Sequence, residues 1–295
     1  MPTNPPLRRA LSLGAGVQST TLALAAADGL IPPFEAAVFA DTEGEPAYVY
    51  DHLNRLDAYC RERGLPITRV GTGSLRADTL VKKSVSPPLW VRKADGKPGG
   101  PGFRGCTDRY KVRPIDKWLR QWAKVPRGHK GVLIDLAIGI STDEDIRRKD
   151  SHQPWITHSF PLLDDLDWSR DDCRAYLDSK GWGDTPKSAC VYCPYHSAEL
   201  WAEVKALDPE GWEDAILFDR EVRNGTRQRD EGGATFYLHR DLIPLDEVEL
   251  PEYVPGAVGE GVGCSPFACP GDTIASAPVS DEPDIITITT KEHRA

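Results

Sequence analysis

The chain has 295 residues, 40% of them hydrophobic, and a formal net charge of −9. This is enough for one large domain, or one domain with an appended piece, around a real core. The acidic balance argues against general adhesion to nucleic acid, and no apolar run approaches the roughly 20 residues that cross a bilayer. The N-terminus lacks the apolar stretch of a signal peptide, so we expect a cytoplasmic protein.

The first predicted elements are a strand from Arg8 to Leu13 and a helix from Val17 to Ala27, joined by a glycine-containing loop. The first N–H groups of a helix lack intrahelical partners and lie at its positive dipole end, which favours phosphate. Gly14 and Gly16 would allow close backbone approach. The spacing matches neither Gly-x-Gly-x-x-Gly nor the lysine-containing P-loop, so an ordinary tight turn is the alternative.

A second strand is predicted from Glu35 to Ala40, ending at Asp41 and Thr42. A helix from about Pro46 to Arg63 and a strand near Ile67 to Val70 follow. This alternation predicts an α/β fold with a doubly wound, mostly parallel sheet. Ligands of such sheets bind beyond the carboxyl ends of the strands, where Asp41 and Thr42 would line the crevice.

Residues 86–103 are rich in proline and glycine and predict a long mobile loop, able to act as a lid. The stretch that follows, from Arg104 to Lys130, contains nine Lys or Arg residues and only two acids. It is either a solvated helical face or a basic wall beside a phosphate-bearing ligand.

The next strand is predicted from Val132 to Ile140, and polar groups gather again at its carboxyl end. Arg147 and Arg148 in this segment can fork onto an oxyanion. The alternative is a helix start capped by Ser141 or Thr142, with acids in its first turn. The two interpretations are compatible.

The remaining chain is predicted to be mainly helical. Ser169 is a suitable N-cap for a helix through Leu177. Further helices are predicted around Ala198 to Leu207 and Trp212 to Arg223, and an extended segment from Glu247 to Tyr253. The predicted organisation is a nucleotide-binding α/β domain over residues 1–185, a helical, cysteine-containing region over 186–271 and a disordered tail over 272–295.

The chain has seven cysteines. A reducing compartment disfavours structural disulfides, so spaced cysteines indicate metal binding or redox chemistry. Cys60 and Cys173 fall in helical stretches and are predicted to pack in the core. Cys190 and Cys193 lie on a predicted turn and can hold one metal ion together. Their candidate partners are Cys106, Cys264 and Cys269.

Spacing alone does not separate tetrahedral zinc from an iron–sulfur cluster, because both accept four thiolates. His196 is a further candidate for a zinc site, although a role in a turn or helix cap is the simpler interpretation. A third alternative is that no metal binds.

Several stretches match motifs of one known family. Ser12-Leu13-Gly14-Ala15 is similar to a phosphate loop, and Phe39 to Gly44 to an Asp-Thr-Gly strand end. Cys106 to Ile115 is similar to a Cys-Cys-x-x-Arg-Lys-Val-x-Pro-Leu segment, Trp168 to Asp172 to a Trp-Thr-x-x-Asp helix start, and Cys190 to Cys193 to a CxxC turn. In this order, they resemble the sulfonucleotide (PAPS and APS) reductases of the PP-loop, or adenine nucleotide α-hydrolase-like, superfamily.

The resemblance implies a PP-loop fold with a C-terminal helical and cysteine-containing extension, and an adenine nucleotide (ATP, APS or PAPS) as ligand. The residues implied for the nucleotide are Ser12, Gly14, Ala15, Gly16, Gln18, Ser19, Asp41 and Thr42. Those implied for phosphate or sulfate are Arg109, Lys111, Ser141, Arg147 and Arg148. An iron–sulfur cluster of the 4Fe–4S type is implied on Cys106, Cys190 and Cys193. Cys264 or Cys269 is the candidate fourth ligand, since cluster ligands can come from distant segments; the alternative is a site left open for a substrate atom or an exogenous sulfide.

The chain departs from the family pattern at three places. A single Cys106 stands where the family has a cysteine pair, and Gln18 replaces the Asp of the ATP pyrophosphatase loop. A Glu-Cys-Gly-Leu-His-like tail is missing from the sequence. Cys264 and Cys269 are the candidates for a catalytic thiol, and the catalytic residue stays unassigned.

Three functions are compatible with these observations. The first is an iron–sulfur oxidoreductase-like protein that acts on a sulfonucleotide with a thiol reductant. The second is an ATP-dependent sulfurtransferase that thiolates a nucleic-acid base, which the overall acidity disfavours. The third is a non-enzymatic protein that responds to nucleotide or redox state. A homodimer is the default assembly.

Overall fold

The computed structural model describes residues 7–81, 87–225, 232–256 and 267. Its centre is a five-stranded sheet in the order β3-β2-β1-β6-β7, in which every neighbouring pair is parallel. The strands of this sheet are β1 (Arg8–Leu13), β2 (Ala36–Asp41), β3 (Ile67–Gly71), β6 (Ile134–Ile138) and β7 (Ile156–Ser159). The prediction of an α/β fold with a mostly parallel sheet is confirmed, and the arrangement is Rossmann-like.

Helices flank the sheet. They are α1 (Val17–Ala27), α2 (Ala47–Glu62), α3 (Leu75–Val81), α4 (Gly105–Thr107), α5 (Arg113–Trp122), α6 (Pro161–Asp164), α7 (Arg170–Ser179), α8 (Ala198–Leu207) and α9 (Pro209–Val222). A π-helical turn, Asp108–Val112, joins α4 to α5, and 3₁₀ turns occupy Thr142–Arg147 and Leu245–Glu247.

The two faces of the sheet bury separate hydrophobic clusters. Leu11 and Phe39 point into the cluster beneath α1 and α2. Val38 and Ile138, on the other face, pack with Ile115 of α5. Because both faces are covered, residues 10–13 of β1 and 36–40 of β2 are buried without alternation, as in central parallel strands.

A second, three-stranded antiparallel sheet in the order β5-β4-β8 was not predicted. Its strands are β4 (Trp90–Arg92), β5 (Pro98–Pro101) and β8 (Thr235–Tyr237). The prediction that residues 86–103 form a structureless loop is therefore wrong over 90–101. The indole Nε1 of Trp90 also donates to the carbonyl of Pro194 at 2.9 Å, which ties this hairpin to the segment after the CxxC turn.

The segment from Glu247 to Tyr253, predicted to be extended, forms no strand in the structure, and the short strand in this part of the chain is β8. The N-cap prediction for α7 is confirmed. Ser169 accepts from the Asp172 N–H, and Asp172 accepts from the Ser169 N–H, which forms a full capping box. The predicted burial of Cys60 and Cys173 is confirmed as well.

The helices of the described residues include none long and apolar enough to span a membrane. The region predicted to be a disordered tail, 272–295, lies outside the described residues, as do Cys264 and Cys269. Residues on both sides of position 185 share one hydrophobic cluster, in which Leu75 and Tyr110 pack with Trp201 and Phe218.

A buried histidine makes the fold sensitive to acid. His52 of α2 lies with its Nε2 3.0 Å from Thr20 Oγ1 and its ring against Trp182. Burial lowers the pKa of His52 from 6.5 to about 4. The unfolded chain therefore binds one more proton than the folded chain between these two pH values, and this group's contribution to stability is lost as pH falls through that window.

We predict that His52→Gln reduces the acid sensitivity of the fold. The wild type should lose about 3 kcal/mol of unfolding free energy between pH 7 and pH 4 through this one group, and the variant should not. Urea denaturation at several pH values measures the difference. The control is His152→Gln, since the Asp116 carboxylate raises the pKa of His152 and removing that imidazole should not relieve acid sensitivity. Equal pH profiles for H52Q and wild type would contradict the prediction.

Candidate functional site

A cleft opens at the carboxyl edge of the central sheet, between the ends of β1 and β6. Connections leave β1 and β6 towards opposite sides of the sheet, which makes this the topological switch point where α/β proteins bind ligands. The cleft encloses about 570 Å³, including space open to solvent. Its lining residues are Ser12, Gly14, Gly16, Val17, Gln18, Ser19, Gly139, Glu144, Arg147, Arg170, Arg174, Lys187 and Ser188.

The loop between β1 and α1 forms the floor of the cleft. The Gly14 N–H donates to Ser19 Oγ at 3.1 Å, and that hydroxyl donates to the Gly16 carbonyl at 3.3 Å. Ala15 adopts a left-handed conformation with φ of 57°. Gly16 is the N-cap of α1 and has no side chain to accept from the first-turn N–H groups. Those groups have no intrahelical acceptors, so the loop is suited to an anion.

The turn after β6 packs directly on this loop. A Cβ at Gly139 would lie 3.0 Å from the Ser19 nitrogen and 3.1 Å from Gln18 Cβ. That contact is closer than real Cβ atoms usually tolerate, and the atom it would meet is backbone. Only glycine therefore lets the two strand ends approach this closely.

Positive charge dominates the cleft walls. Four basic side chains line it, and Glu144 is the one acidic residue among the lining set. That carboxylate is already engaged: Oε1 pairs with Arg147 at 2.5 Å and Oε2 accepts from Gln18 Nε2 at 2.9 Å. The cleft thus presents more positive charge than its own residues neutralise, which favours an oxyanion.

Gln18 links the walls of the cleft through both ends of its amide. Its Nε2 also donates to Ser141 Oγ at 3.3 Å, and its Oε1 accepts from Arg170 Nη2 at 3.4 Å. An ionised aspartate at position 18 could not donate a hydrogen bond to Glu144, and the two carboxylates would repel each other. The amide therefore suits this environment, in which a carboxylate must be met by a donor.

The segment before the CxxC turn runs along the other side of the loop. A Cβ at Gly16 would lie 3.5 Å from the Ser188 nitrogen, an ordinary contact distance. Ser188 Oγ in turn donates to Glu45 Oε2 at 3.2 Å, and Lys111 Nζ lies 3.5 Å from Glu45 Oε1. The Glu45 side chain is fully buried, so this node fixes the cysteine segment beside the cleft.

Most of the residues predicted to bind the nucleotide line the cleft or lie beside it. Ser12, Gly14, Gly16, Gln18 and Ser19 line it, and Ala15 is buried in the loop. Asp41 and Thr42 do not line it. Asp41 Oδ1 accepts from Tyr50 OH at 2.7 Å and from the Glu43 N–H at 2.8 Å, so its carboxylate holds the turn after β2.

The residues predicted to bind phosphate or sulfate occupy different positions. Arg147 lines the cleft, and Ser141 lies buried behind Gln18. Lys111 pairs with Glu45 instead, and Arg148 forms an exposed ion pair with Asp164. Arg109 lies half-buried in the π-helical turn, away from the lining residues.

Arg170, Arg174 and Lys187 were missed from the sequence as cleft residues. Arg170 and Arg174 are four residues apart on α7 and therefore share one helix face. That pair, directly after a strong N-cap, is the signal that could have found them. Lys187 was visible only as part of the cysteine stretch, and no local pattern connects it to the loop after β1.

The CxxC turn is formed as predicted. The Cys193 N–H donates to the Cys190 carbonyl at 2.9 Å, and the Val191 N–H donates to the Gly44 carbonyl at 2.8 Å. Burial, and next the charge of Glu45, raise the pKa of the Cys190 thiol well above its ordinary value. Cys106 packs against the hydrophobic cluster that contains Cys190. Such a thiol becomes a thiolate only if a cation compensates it.

His196 lies in the turn directly before the N-cap of α8, where its N–H donates to the Cys193 carbonyl at 3.3 Å, and its side chain is buried. Its ring packs on Trp201 with centroids 4.3 Å apart, and neither ring nitrogen has a hydrogen-bond partner among the described residues. Burial lowers the pKa of His196 to about 3, so the imidazole is neutral at pH 7. The described part of the chain contains no group of three or more His, Cys, Asp or Glu side chains arranged to hold a metal ion.

Comparisons with known proteins give no family assignment. No family model matches the chain, and a search of curated proteins returned no significant match. The geometry of the cleft and of the cysteine turn therefore carries the functional argument.

We predict that Gly44→Ala destabilises the cysteine turn. The added Cβ would lie 2.8 Å from Tyr192 Cε2 and 3.2 Å from Cys190 Sγ, so one of these buried groups must move. Overpacking of this kind costs about 1–3 kcal/mol, measurable by thermal or urea denaturation. Gly102→Ala is the matched control, because its Cβ would meet nothing closer than the Leu89 carbonyl at 3.5 Å. Equal stability of G44A and G102A would contradict the prediction.

Proposed function

We propose that this chain is a PP-loop-type protein that binds an adenine nucleotide, with the phosphate or sulfonate end seated in the cleft between β1 and β6. One observation carries the proposal: an uncapped helix N-terminus and four basic side chains surround a cleft at the switch point of a parallel sheet. The motif resemblance, not the cleft itself, specifies adenine and sulfur chemistry.

The charges of the cleft favour a sulfonucleotide such as APS or PAPS over ATP. ATP usually reaches protein sites with Mg²⁺, which prefers carboxylate and water oxygens. The one lining carboxylate, Glu144, is held by Arg147 and Gln18. An anion bound through arginine and backbone N–H groups without a metal fits these donors better.

The proposed activity is that of a sulfonucleotide reductase-related oxidoreductase. Such a reaction breaks the bond between sulfur and the phosphate oxygen. Two thiols supply two electrons and become a disulfide, and sulfite is released together with AMP from APS or adenosine 3′,5′-bisphosphate from PAPS. Cys264 and Cys269 remain the candidate catalytic thiols and lie outside the described residues.

The cysteine turn offers thiol donors for a metal centre, although the described side chains do not themselves form a group of three ligands. Cys190 and Cys193 share one turn, and Cys106 packs on the same hydrophobic cluster. The raised pKa of Cys190 makes an uncompensated thiolate unfavourable there, and a bound metal would supply that compensation. We propose these three as ligands of an iron–sulfur cluster, which would supply electrostatic polarisation or electron transfer close to the nucleotide.

We predict that Arg170→Met weakens nucleotide binding by roughly 10- to 100-fold, because one charged hydrogen bond to a phosphate or sulfonate is lost. Isothermal titration calorimetry with APS, PAPS, ATP and AMP, with and without Mg²⁺, measures the effect. Arg61→Met is the control, since Arg61 forms an exposed ion pair with Asp57 on α2. The wild type should prefer APS or PAPS to ATP.

Several results would change the proposal. Failure of every nucleotide to bind would overturn it, and equal losses in R170M and R61M would remove the cleft as the site. A strong preference for ATP with Mg²⁺ would favour the sulfurtransferase. Thiol-dependent release of sulfite from APS or PAPS would support the reductase activity, whereas binding without turnover would leave a nucleotide-responsive protein.

We predict that anaerobic preparations contain iron and acid-labile sulfide, and that Cys106→Ser, Cys190→Ser and Cys193→Ser each lose them. Thiolates are the required ligands of such clusters, so loss of one sulfur weakens assembly. Metal and sulfide analysis with absorption spectra provides the measurement. Cys60→Ala is the control, because Cys60 belongs to α2 and its thiol is buried in the hydrophobic core. Stoichiometric zinc without sulfide would instead identify a zinc site.

A further inference from the structure

Lys187 combines two properties that rarely occur together in a structural lysine. Its side chain lines the cleft, and its Nζ is buried with no hydrogen-bond partner in any part of the chain that the structure describes. Burying an ammonium without a partner is unfavourable, and native proteins keep such groups mainly where a ligand supplies the missing acceptor.

The groups around Lys187 do not neutralise it. The charged groups that influence it are Arg170, Cys193, Glu203 and Glu144. Glu144 is held by Arg147 and Gln18. Glu203 acts on Lys187 through its charge and not through a hydrogen bond, since Lys187 Nζ and Glu203 Oε2 are both buried without a hydrogen-bond partner among the described residues. Burial, and next the positive charge of Arg170, lower the pKa of Lys187 to about 8, which is consistent with an ammonium that lacks a direct counter-ion.

The position of Lys187 along the chain indicates on which side of the cleft its missing hydrogen-bond acceptor would lie. The neighbouring Ser188 runs beside Gly16, at the floor of the cleft where α1 begins. Three residues further on is Cys190, the first thiol of the turn. Lys187 therefore stands on the side of the cleft that faces the cysteines, whereas Arg147 and Gln18 stand on the side of β6.

We propose that Lys187 binds the second anionic group of the nucleotide, the one attached to the phosphate that sits on the Gly14–Ser19 loop, and holds that group on the cysteine side of the cleft. In APS this group is the sulfonate, and in ADP it is the β-phosphate. The proposal rests on the proposed function. It assigns to Lys187 the binding of the end of the ligand at which the reaction would occur.

The test compares ligands that differ by one anionic group. Lys187→Met should weaken binding of APS, ADP and inorganic pyrophosphate by roughly 10- to 100-fold, the usual effect of one charge-assisted hydrogen bond. AMP and inorganic phosphate should change less than about two-fold, since they lack the second group. Lys187→Arg should restore part of the affinity because it restores the charge.

Lys180→Met is the matched control. Lys180 also loses one charge in this change, but it lies at the end of α7 and pairs with Asp28 at 2.6 Å in a partly exposed position. All four ligands should bind K180M as they bind the wild type.

A second measurement excludes a merely structural role. Since Lys187 carries an unpartnered buried ammonium, ligand-free K187M should be at least as stable to heat as the wild type. A large fall in melting temperature would mean that Lys187 has a structural partner, and the proposal would fail.

The outcomes also separate this proposal from the proposed function. If AMP and APS lose affinity equally in K187M, or if no ligand is affected, Lys187 does not bind the second group. If the wild type binds pyrophosphate but no nucleotide, and K187M weakens that binding selectively, Lys187 keeps its role and the adenine nucleotide is withdrawn. If the wild type binds none of the probes, both proposals fall.

Discussion

The buried contact between Glu45 and Lys111 is the constraint on which the site depends. The carboxylate follows β2, the ammonium lies in the π-helical turn before α5, and Ser188 donates to the same carboxylate from the cysteine segment. A buried ion pair adds little net stability, because desolvation offsets much of its attraction. The pair instead fixes geometry. Burying the Glu45 carboxylate without a partner would cost so much free energy that the segments carrying Glu45, Lys111 and Ser188 are held together.

That meeting joins two otherwise separate parts of the protein. The parallel sheet supplies the cleft and the start of α1, whereas residues after 185 supply α8, α9 and the cysteine turn. Close approaches at Gly16 and Gly44 let the sheet part pack within contact distance of the segment that carries Ser188, Cys190 and Tyr192. The proposed nucleotide and the proposed metal centre are neighbours because Lys187 and Ser188 belong to the cleft while Cys190 and Cys193 belong to the turn.

Local chemistry explains which site residues could be predicted. Gly14, Gly16 and Ser19 were identified because a glycine loop leads from a buried strand into the start of a helix, where N–H groups without intrahelical partners favour an anion. Arg148 carries the same signal as Arg147, yet the 3₁₀ turn sends Arg147 into the cleft and Arg148 to Asp164 on the surface. Sequence patterns do not distinguish adjacent side chains on an irregular turn, since neither the helical period of about 3.6 residues nor the strand period of two applies there.

The sequence by itself determined strands β1, β2, β3 and β6, the main helices that follow them, the parallel character of the sheet, the glycine loop after β1 and the cysteine turn, because each follows from hydrophobic period, capping and short-range backbone rules. Only the tertiary structure decided that β4 pairs with β5 and β8, that Arg170, Arg174 and Lys187 line one cleft, and that Lys111 meets Glu45. Those contacts join positions far apart in the chain, and burial and charge select them only after the sheet has formed.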